Sequence, residues 1–288
     1  MKNRFNARYL FVVAAIALFA SCKKDDTTSP TPQPTNPLYS SVLGKWNVTT
    51  TAGRIQGNVS SKIQSPLQLL SIEFLSDTTY IVVMNDNTVT TVTFKITDST
   101  SITLPDFGTL SEIKVADGKM NFKLQYNGSN ITLSANKAAE IALTDDTKLL
   151  CRTWYLHNTD SVYGDYEDGT DKITVLFSSA GTYLVQNYRQ DTLINADIAN
   201  WKWHPTKPKT ILYWWDGDEP SDNDAVTITE LTSTSLKMTE TYIDGNDTET
   251  YNYVLTPYEH SGRVLQASMR KTVSSRHSNG HRLFGLHK

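Results

Sequence analysis

Five aromatic side chains with the capacity to bind another molecule fall within fifteen residues of the second half of the chain. They are Trp201, Trp203, Tyr213, Trp214 and Trp215. Residues two apart on a β-strand share a face, so each of the pairs Trp201/Trp203 and Tyr213/Trp215 is expected to share one. Such rings can fill a barrel core, line a cavity for an apolar ligand, or form an exposed platform on which a sugar ring stacks. We treat all five as candidate ligand-binding residues and keep the three interpretations open.

Acidic side chains are concentrated in two segments whose composition would suit a cation. The groups are Asp165, Glu167, Asp168 and Asp171, and Asp216, Asp218, Glu219, Asp222 and Asp224. Calcium takes oxygen ligands of this kind, but neither group has the alternating spacing and the glycine of a known calcium loop. We interpret both segments as solvated loops and predict no metal site.

The histidines and Cys151 do not form a catalytic or zinc-binding pattern. His277 and His281 lie four residues apart, but no cysteine or further ligand at a suitable spacing completes a zinc site. His157 and His204 are isolated, and Cys151 follows two leucines at a predicted strand start, where a small buried residue is expected. Known nucleophile, phosphate-loop and metalloprotease motifs are absent from the sequence. We therefore predict no catalytic residue, no cofactor and no enzymatic activity.

The charge is distributed unevenly along the chain. Nine of the 27 basic residues lie in segments 1–21 and 260–288, which contain no acidic residue. The other 18 basic residues stand against 30 acidic ones, so segment 22–259 carries a formal charge of −12. A surface this acidic repels phosphates, and we predict no nucleic-acid partner. With two cysteines in all, no disulfide framework is expected either.

Segment 1–21 has the composition of a secretory signal: a positive start, a short apolar run and small residues before a cysteine. The positive residues are Lys2, Arg4 and Arg8. The apolar run is too short to span a bilayer. Leu18-Phe19-Ala20-Ser21-Cys22 resembles the lipobox of bacterial lipoproteins, although Phe19 stands where that family usually has an aliphatic residue. The resemblance implies that Cys22 is acylated and becomes the mature N-terminus.

A tether and a tail flank the part of the chain that is expected to fold. Segment 22–39 is rich in Pro, Thr and Ser, which favours an extended chain that buries little. Lys23-Lys24-Asp25-Asp26 resembles the signals that send some outer-membrane lipoproteins to the cell exterior. We predict a protein attached to the outer membrane by its lipid, facing either the exterior or the periplasm. Segment 258–288 is expected to be a basic and largely disordered tail.

A β unit is used twice in the chain. Leu43-Gly44-Lys45-Trp46 is echoed by Cys151-Arg152-Thr153-Trp154, and each is followed about thirty residues later by a short β run that ends in tyrosine, at Tyr80 and Tyr183. The two tryptophans lie 108 residues apart and the two tyrosines 103, as expected for a diverged duplication with loop insertions. The sequence therefore predicts a first β domain over 40–144 and a second over 145–257.

Both units show the period of strands rather than helices, with turn dipeptides such as Asp117-Gly118 and Asn127-Gly128 between short β-rich runs. We predict an all-β fold of two tandem antiparallel β-barrels. The Gly44-x-Trp46 core and the Asp117-Gly118 hairpin resemble the lipocalin-like domains of bacterial lipoproteins, and the Ala-Gly-Thr-Tyr run that ends at Tyr183 resembles them too. The second unit has Arg152 in place of the motif glycine. The resemblance implies that Trp46 and Trp154 each close one end of a barrel.

Two functions remain open at this point. Family resemblance implies a lipid-anchored binding protein that holds a small apolar or amphiphilic molecule in at least one barrel. The alternative is a surface glycan-binding or adhesion module that uses the Trp201–Trp215 aromatics on the outside of the fold. Inward-facing rings would favour the first function, and an outward-facing coplanar row would favour the second.

Overall fold

The computed structural model describes residues 36–49, 54–55, 67–86, 88–157, 172–215, 217–244 and 247–258. The predicted signal sequence, Cys22, most of the tether, the acidic group 165–171, Asp216, His277, His281 and nearly all of the tail lie outside these ranges. Within the described ranges, no helix has the length and apolar character needed to cross a membrane.

The first half of the described chain forms a short helix and ten strands. The elements are α1 (Pro37–Val42), β1 (Gly44–Val48), β2 (Arg54–Ile55), β3 (Leu67–Phe74), β4 (Thr79–Met84), β5 (Val89–Thr93), β6 (Lys95–Ile96), β7 (Ile102–Leu104), β8 (Gly108–Ala116), β9 (Lys119–Tyr126) and β10 (Ser129–Lys137). Nine of the strands follow the order β5-β4-β3-β1-β10-β9-β8-β7-β6, and β2 pairs with β3. Because β5 and β6 are consecutive in the chain yet stand at the two ends of this order, the first sheet is a ring that is open between them.

The second half forms a closed barrel. Its elements are α2 (Asp145–Leu150), β11 (Thr153–Leu156), β12 (Lys172–Phe177), β13 (Thr182–Arg189), β14 (Thr192–Trp203), β15 (Thr210–Trp214), a 3-10 helix (Asp222–Asp224), β16 (Ala225–Leu231), β17 (Leu236–Asp244) and β18 (Asp247–Pro257). Each strand pairs antiparallel with the next, and β18 pairs back onto β11. The all-β prediction of two tandem barrel-like antiparallel sheets is confirmed, and this architecture is consistent with a lipocalin-like fold.

Local turn chemistry explains the hairpins of the first sheet. Asp117 and Gly118 have φ of 49° and 69°, and Asn127 and Gly128 have φ of 47° and 78°. Two successive positive φ values define the turn whose twist matches paired strands, and Asn, Asp and Gly adopt them at the least cost. Both predicted hairpins are present, joining β8 to β9 and β9 to β10.

Each β unit begins in the same way, with a six-residue helix followed by a strand that carries a buried tryptophan. The indole Nε1 of Trp46 donates to the carbonyl oxygen of Val42 at 2.7 Å. The indole Nε1 of Trp154 donates to the carbonyl oxygen of Leu150 at 2.9 Å. In both cases the acceptor is the last residue of the helix, four positions before the indole. The repeated sequence pattern therefore corresponds to a repeated structural unit.

The helix α2 differs from what the sequence predicted, because a strand start was expected around Cys151. The N-cap Thr144 accepts a hydrogen bond from the amide of Thr147, and Asp145 and Asp146 occupy the first turn, where carboxylates favour a helix. Thr147 and Leu150 are buried on one side of the helix. A helix of six residues has little stability in isolation. The N-cap and the packing of Thr147 and Leu150 therefore stabilise it.

The outer faces of the two sheets pack against each other. Strand alternation sends one set of β4 and β5 side chains into the first core and the other set outward. The outward set meets apolar side chains from the outside of the second barrel. The buried members of this cluster, which we call the inter-sheet cluster, are Ile81, Val83, Val89, Leu176, Leu184 and Ala196. The strands of the two halves do not interleave, but the halves share this buried apolar contact.

Candidate functional site

One end of the second barrel is filled by tryptophan rings whose N–H groups are all satisfied. Besides Trp154, the indole of Trp201 donates to the carbonyl oxygen of Ser178 at 3.0 Å. The indole of Trp203 donates to Oγ1 of Thr147, in α2, at 2.9 Å. The rings of Trp201 and Trp203 meet edge to face at 5.7 Å. This end of the interior is therefore apolar and closely bonded to α2, and we call it the apolar half.

A carboxylate lies deeper along the barrel interior. Glu240 on β17 is only 3% exposed, and its two oxygens accept hydrogen bonds from Tyr213 at 2.8 Å and from Tyr253 at 3.0 Å. The ring of Tyr213 packs at 6.4 Å from the ring of Tyr183, which belongs to the apolar core. Phenol donors from β15 and β18 thus hold a buried acid of β17 inside the barrel.

A second polar group lines the same interior from β13 and β14. Val185 belongs to the barrel core, and Asn187 lies two residues further along the same face. In the sheet register Val185 pairs with Asp197 and Asn187 pairs with Asn195, so all of these side chains share the inner face. Nδ2 of Asn195 donates to Oδ2 of Asp197 at 2.9 Å. We call Asn187, Asn195, Asp197 and Glu240, with their tyrosines, the polar half.

Asn187 is the unusual member of the polar half. It is 4% exposed, and its Oδ1 is the one buried side-chain N or O atom in the described part of the chain that has no hydrogen-bond partner. Buried polar atoms in proteins are almost always paired, because an unpaired one costs its full desolvation penalty. An unpaired carbonyl oxygen that faces the inside of a barrel is what an interior site for a hydrogen-bonding ligand would contain.

The five aromatic residues predicted from the sequence divide into an inner and an outer set. Trp201 and Tyr213 are buried in the barrel core, and Trp203 and Trp215 are half-buried and pack against that core. Trp214 is also half-buried, and the Nζ of Lys202 lies 5.3 Å from the centre of its ring. An exposed coplanar platform is not supported at Trp201 and Tyr213, since both rings are inside the barrel. The inward orientation is the one expected for a core or a cavity lining.

In the second acidic group, Asp222 makes ordinary surface contacts. Asp222 is bonded by Lys207 at 2.7 Å and by His204 at 2.9 Å, and these contacts lower the pKa of the Asp222 carboxyl, that of Lys207 the most. Among the described residues, no group of three or more His, Cys, Asp or Glu side chains is placed to hold a metal ion. Burial, and to a lesser extent the nearby Glu73 carboxyl, raise the pKa of the Cys151 thiol to about 12. This thiol is therefore a poor nucleophile.

A further buried acid lies between the two sheets. Glu73 on β3 is 3% exposed, and its Oε2 accepts a hydrogen bond from Oγ1 of Thr182 on β13 at 2.6 Å. Burial raises the pKa of the Glu73 carboxyl, while the hydroxyls of Ser178 and Thr182 and the charge of Lys45 act in the opposite direction. Glu73 is thus a polar link across the contact that the inter-sheet cluster makes.

Replacing Glu73 with glutamine should flatten the dependence of stability on pH. A carboxyl whose pKa is higher in the folded state than in the unfolded state keeps its proton longer in the folded state. The free energy of unfolding therefore falls as pH rises above 4.5, the pKa of the unfolded state. Glu73→Gln keeps the side-chain shape but does not titrate. We expect its free energy of unfolding, measured by urea titration from pH 4.5 upward, to fall less steeply than that of the wild type. Glu112→Gln, at an exposed position, is the matched control; equal slopes in Glu73→Gln and the wild type would contradict the expectation.

Comparison with known proteins gives little beyond this geometry. No protein-family model matches the chain, and no curated protein matches it. Three solved chains match, among them a Nostoc punctiforme protein described as having unknown function and belonging to the DUF3598 family. That chain is 12% identical, and the match covers 77% of this chain and 99% of the other, with a TM-score of 0.18. A TM-score this low is no basis for transferring structural detail or function.

Sequence reasoning missed the polar half. Asn187, Asn195, Asp197 and Glu240 are ordinary polar residues on β-rich segments, and polar residues at alternate positions are expected on the solvent side of a strand. The alternation of side chains along a strand does indicate their orientation. Asn187 lies on the same face of its strand as Tyr183 and Val185, and Glu240 lies on the same face as Leu236 and Met238. A polar residue that continues an apolar face points inward, and this rule would have selected both.

Proposed function

We propose that this protein is a lipid-anchored carrier that holds a small amphiphilic molecule inside its second barrel. The observation that carries the proposal is the division of one barrel interior into an apolar half and a polar half. The polar half contains the unpaired and buried Oδ1 of Asn187. Ligand pockets of this kind combine mainly apolar walls with a few polar groups that fix orientation. A ligand with an apolar body and a polar head would match both halves.

Native mass spectrometry of the full-length protein, released from detergent micelles, tests the carrier function. We expect one small molecule bound per chain, and a change in tryptophan emission when it is removed. Five of the six tryptophans lie in the second barrel, so the change should persist in Trp46→Phe, which removes the one in the first sheet. A protein that carries no small molecule, and whose emission does not respond to added decanoyl amphiphiles, would contradict the proposal.

The anchoring part of the proposal rests on the lipobox resemblance around Cys22. Acylation requires that thiol, so Cys22→Ser should give a precursor that keeps residues 1–21 and incorporates no labelled fatty acid. Cys151→Ser is the matched control, because it removes the other cysteine and should leave labelling unchanged. Lipid label on the Cys22→Ser protein would contradict the anchor.

We further propose that the anchored protein is in the outer membrane with its β units on the cell exterior. The acidic pair that follows Lys23-Lys24, directly after Cys22, supports this orientation. Protease added to intact cells should then degrade the β units. If degradation required permeabilised cells, the protein would face the periplasm instead.

A further inference from the structure

We propose that the polar half of the second barrel selects ligands whose head group donates hydrogen bonds and carries no negative charge. This inference rests on the carrier function proposed above and deepens it by naming the ligand class. Oδ1 of Asn187 is buried, faces the barrel interior and has no partner among the described residues. A carbonyl oxygen can only accept, so the ligand atom that satisfies it carries an N–H or an O–H.

The other carboxyl groups of the polar half are also used as acceptors. Oδ2 of Asp197 accepts from the amide of Asn195, which pairs directly with Asn187 across the ladder. Both oxygens of Glu240 accept from tyrosine hydroxyls. A carboxylate oxygen has more than one lone pair and can accept again. The polar half thus offers acceptors from three strands, and a donor-rich head group such as a diol, an amine or an amide fits it.

The same residues disfavour an anionic head. The oxygens of a ligand carboxylate or phosphate would face the carboxyl oxygens of Asp197 and Glu240, which already act as acceptors, and two acceptors cannot bond each other. Such a head would supply acceptors where the site needs donors, and it would leave Oδ1 of Asn187 unpaired. Exclusion of anions and preference for donors therefore arise from the same side chains.

The apolar half sets the other end of the ligand. The interior between the polar half and α2 is walled by aromatic and aliphatic side chains, with Tyr183 and Tyr213 at the boundary. All three indole N–H groups described at that end are bonded to protein oxygens. These indoles offer a ligand no free donor, and the described side chains packed around them are mainly apolar, so the head belongs beside Asn187 and the alkyl part lies toward the tryptophans.

Three probes that share a ten-carbon acyl chain and differ in their head group test this preference. Monodecanoylglycerol has donor hydroxyls, methyl decanoate is neutral without a donor, and decanoate is an anion. In a competition among equal concentrations, read by native mass spectrometry of the full-length protein, we expect monodecanoylglycerol to exceed each of the other two by about tenfold or more. Equal binding of methyl decanoate, or tighter binding of decanoate, would overturn the inference and leave the carrier function standing. Binding of none of the three would overturn both.

The variant Asn187→Leu has the same number and branching of side-chain heavy atoms and lacks the acceptor. We expect it to lose the preference for monodecanoylglycerol over methyl decanoate without a lower melting temperature, because removing an unpaired buried polar group does not destabilise the fold. Asn252→Leu is the matched control, since Asn252 is exposed on β18 of the same barrel. A preference that survives in Asn187→Leu as it does in Asn252→Leu would overturn the assignment of the head-group site.

Discussion

Trp154→Ala is expected to lower the free energy of unfolding by about 3–5 kcal/mol, the usual loss when a large buried aromatic residue is truncated. The ring of Trp154 is fully buried in the core of the second barrel. Its indole N–H is bonded to the carbonyl oxygen of Leu150, so truncation also leaves the end of α2 without a donor. A domain is typically stable by only about 5–15 kcal/mol. The change should therefore bring the second barrel close to unfolding at room temperature.

Urea unfolding followed by circular dichroism measures this loss, and two further variants divide it into parts. Trp154→Phe keeps most of the ring and loses the hydrogen bond, so we expect a smaller loss than in Trp154→Ala. Trp214→Ala removes a half-buried ring of the same barrel and should cost clearly less than Trp154→Ala. A loss under about 1 kcal/mol in Trp154→Ala, as for a surface substitution, would mean that the indole does not hold the barrel end.

The features of the fold that could be predicted from the sequence are those fixed by neighbours in the chain. Asp117-Gly118 and Asn127-Gly128 make their turns through their own backbone preferences, whatever the rest of the protein does. The tryptophans at the start of the two units could be recognised as equivalent because each lies at the same position in a repeated sequence pattern. Here local chemistry and the final structure agree, which is why the all-β fold was accessible from sequence.

Features that depend on packing between residues far apart in the chain could not be predicted from the sequence. The helix α2 is six residues long, and Trp203, which bonds it through Thr147, lies 56 residues further along the chain. Glu73 resembles any polar strand residue until Thr182, 109 residues away, is seen to donate to it. Residues such as Leu176 and Leu184 read as outward-facing positions of a strand. Their role becomes visible only when the first sheet covers them.

The inter-sheet cluster leads to the second large expected effect: Leu184→Asp should uncouple the two halves of the protein. Leu184 is 1% exposed on the outer face of β13, in apolar contact between the sheets. Truncating such a leucine costs about 2–5 kcal/mol, and a buried carboxylate without a partner costs more. Since the loss falls on the contact that both halves share, the wild-type chain should unfold in one transition and the variant in two.

Two spectroscopic signals of the full-length protein resolve this outcome. Tryptophan emission comes mainly from the five tryptophans of the second barrel, whereas circular dichroism reports the strands of both halves. The two urea curves should coincide for the wild type and separate for Leu184→Asp. Leu143→Asp places the same charge at an exposed leucine between the halves and should leave the curves coincident. If the Leu184→Asp curves shifted together to lower urea without separating, the contact would stabilise the halves only as one body, and each would then need the other in order to fold.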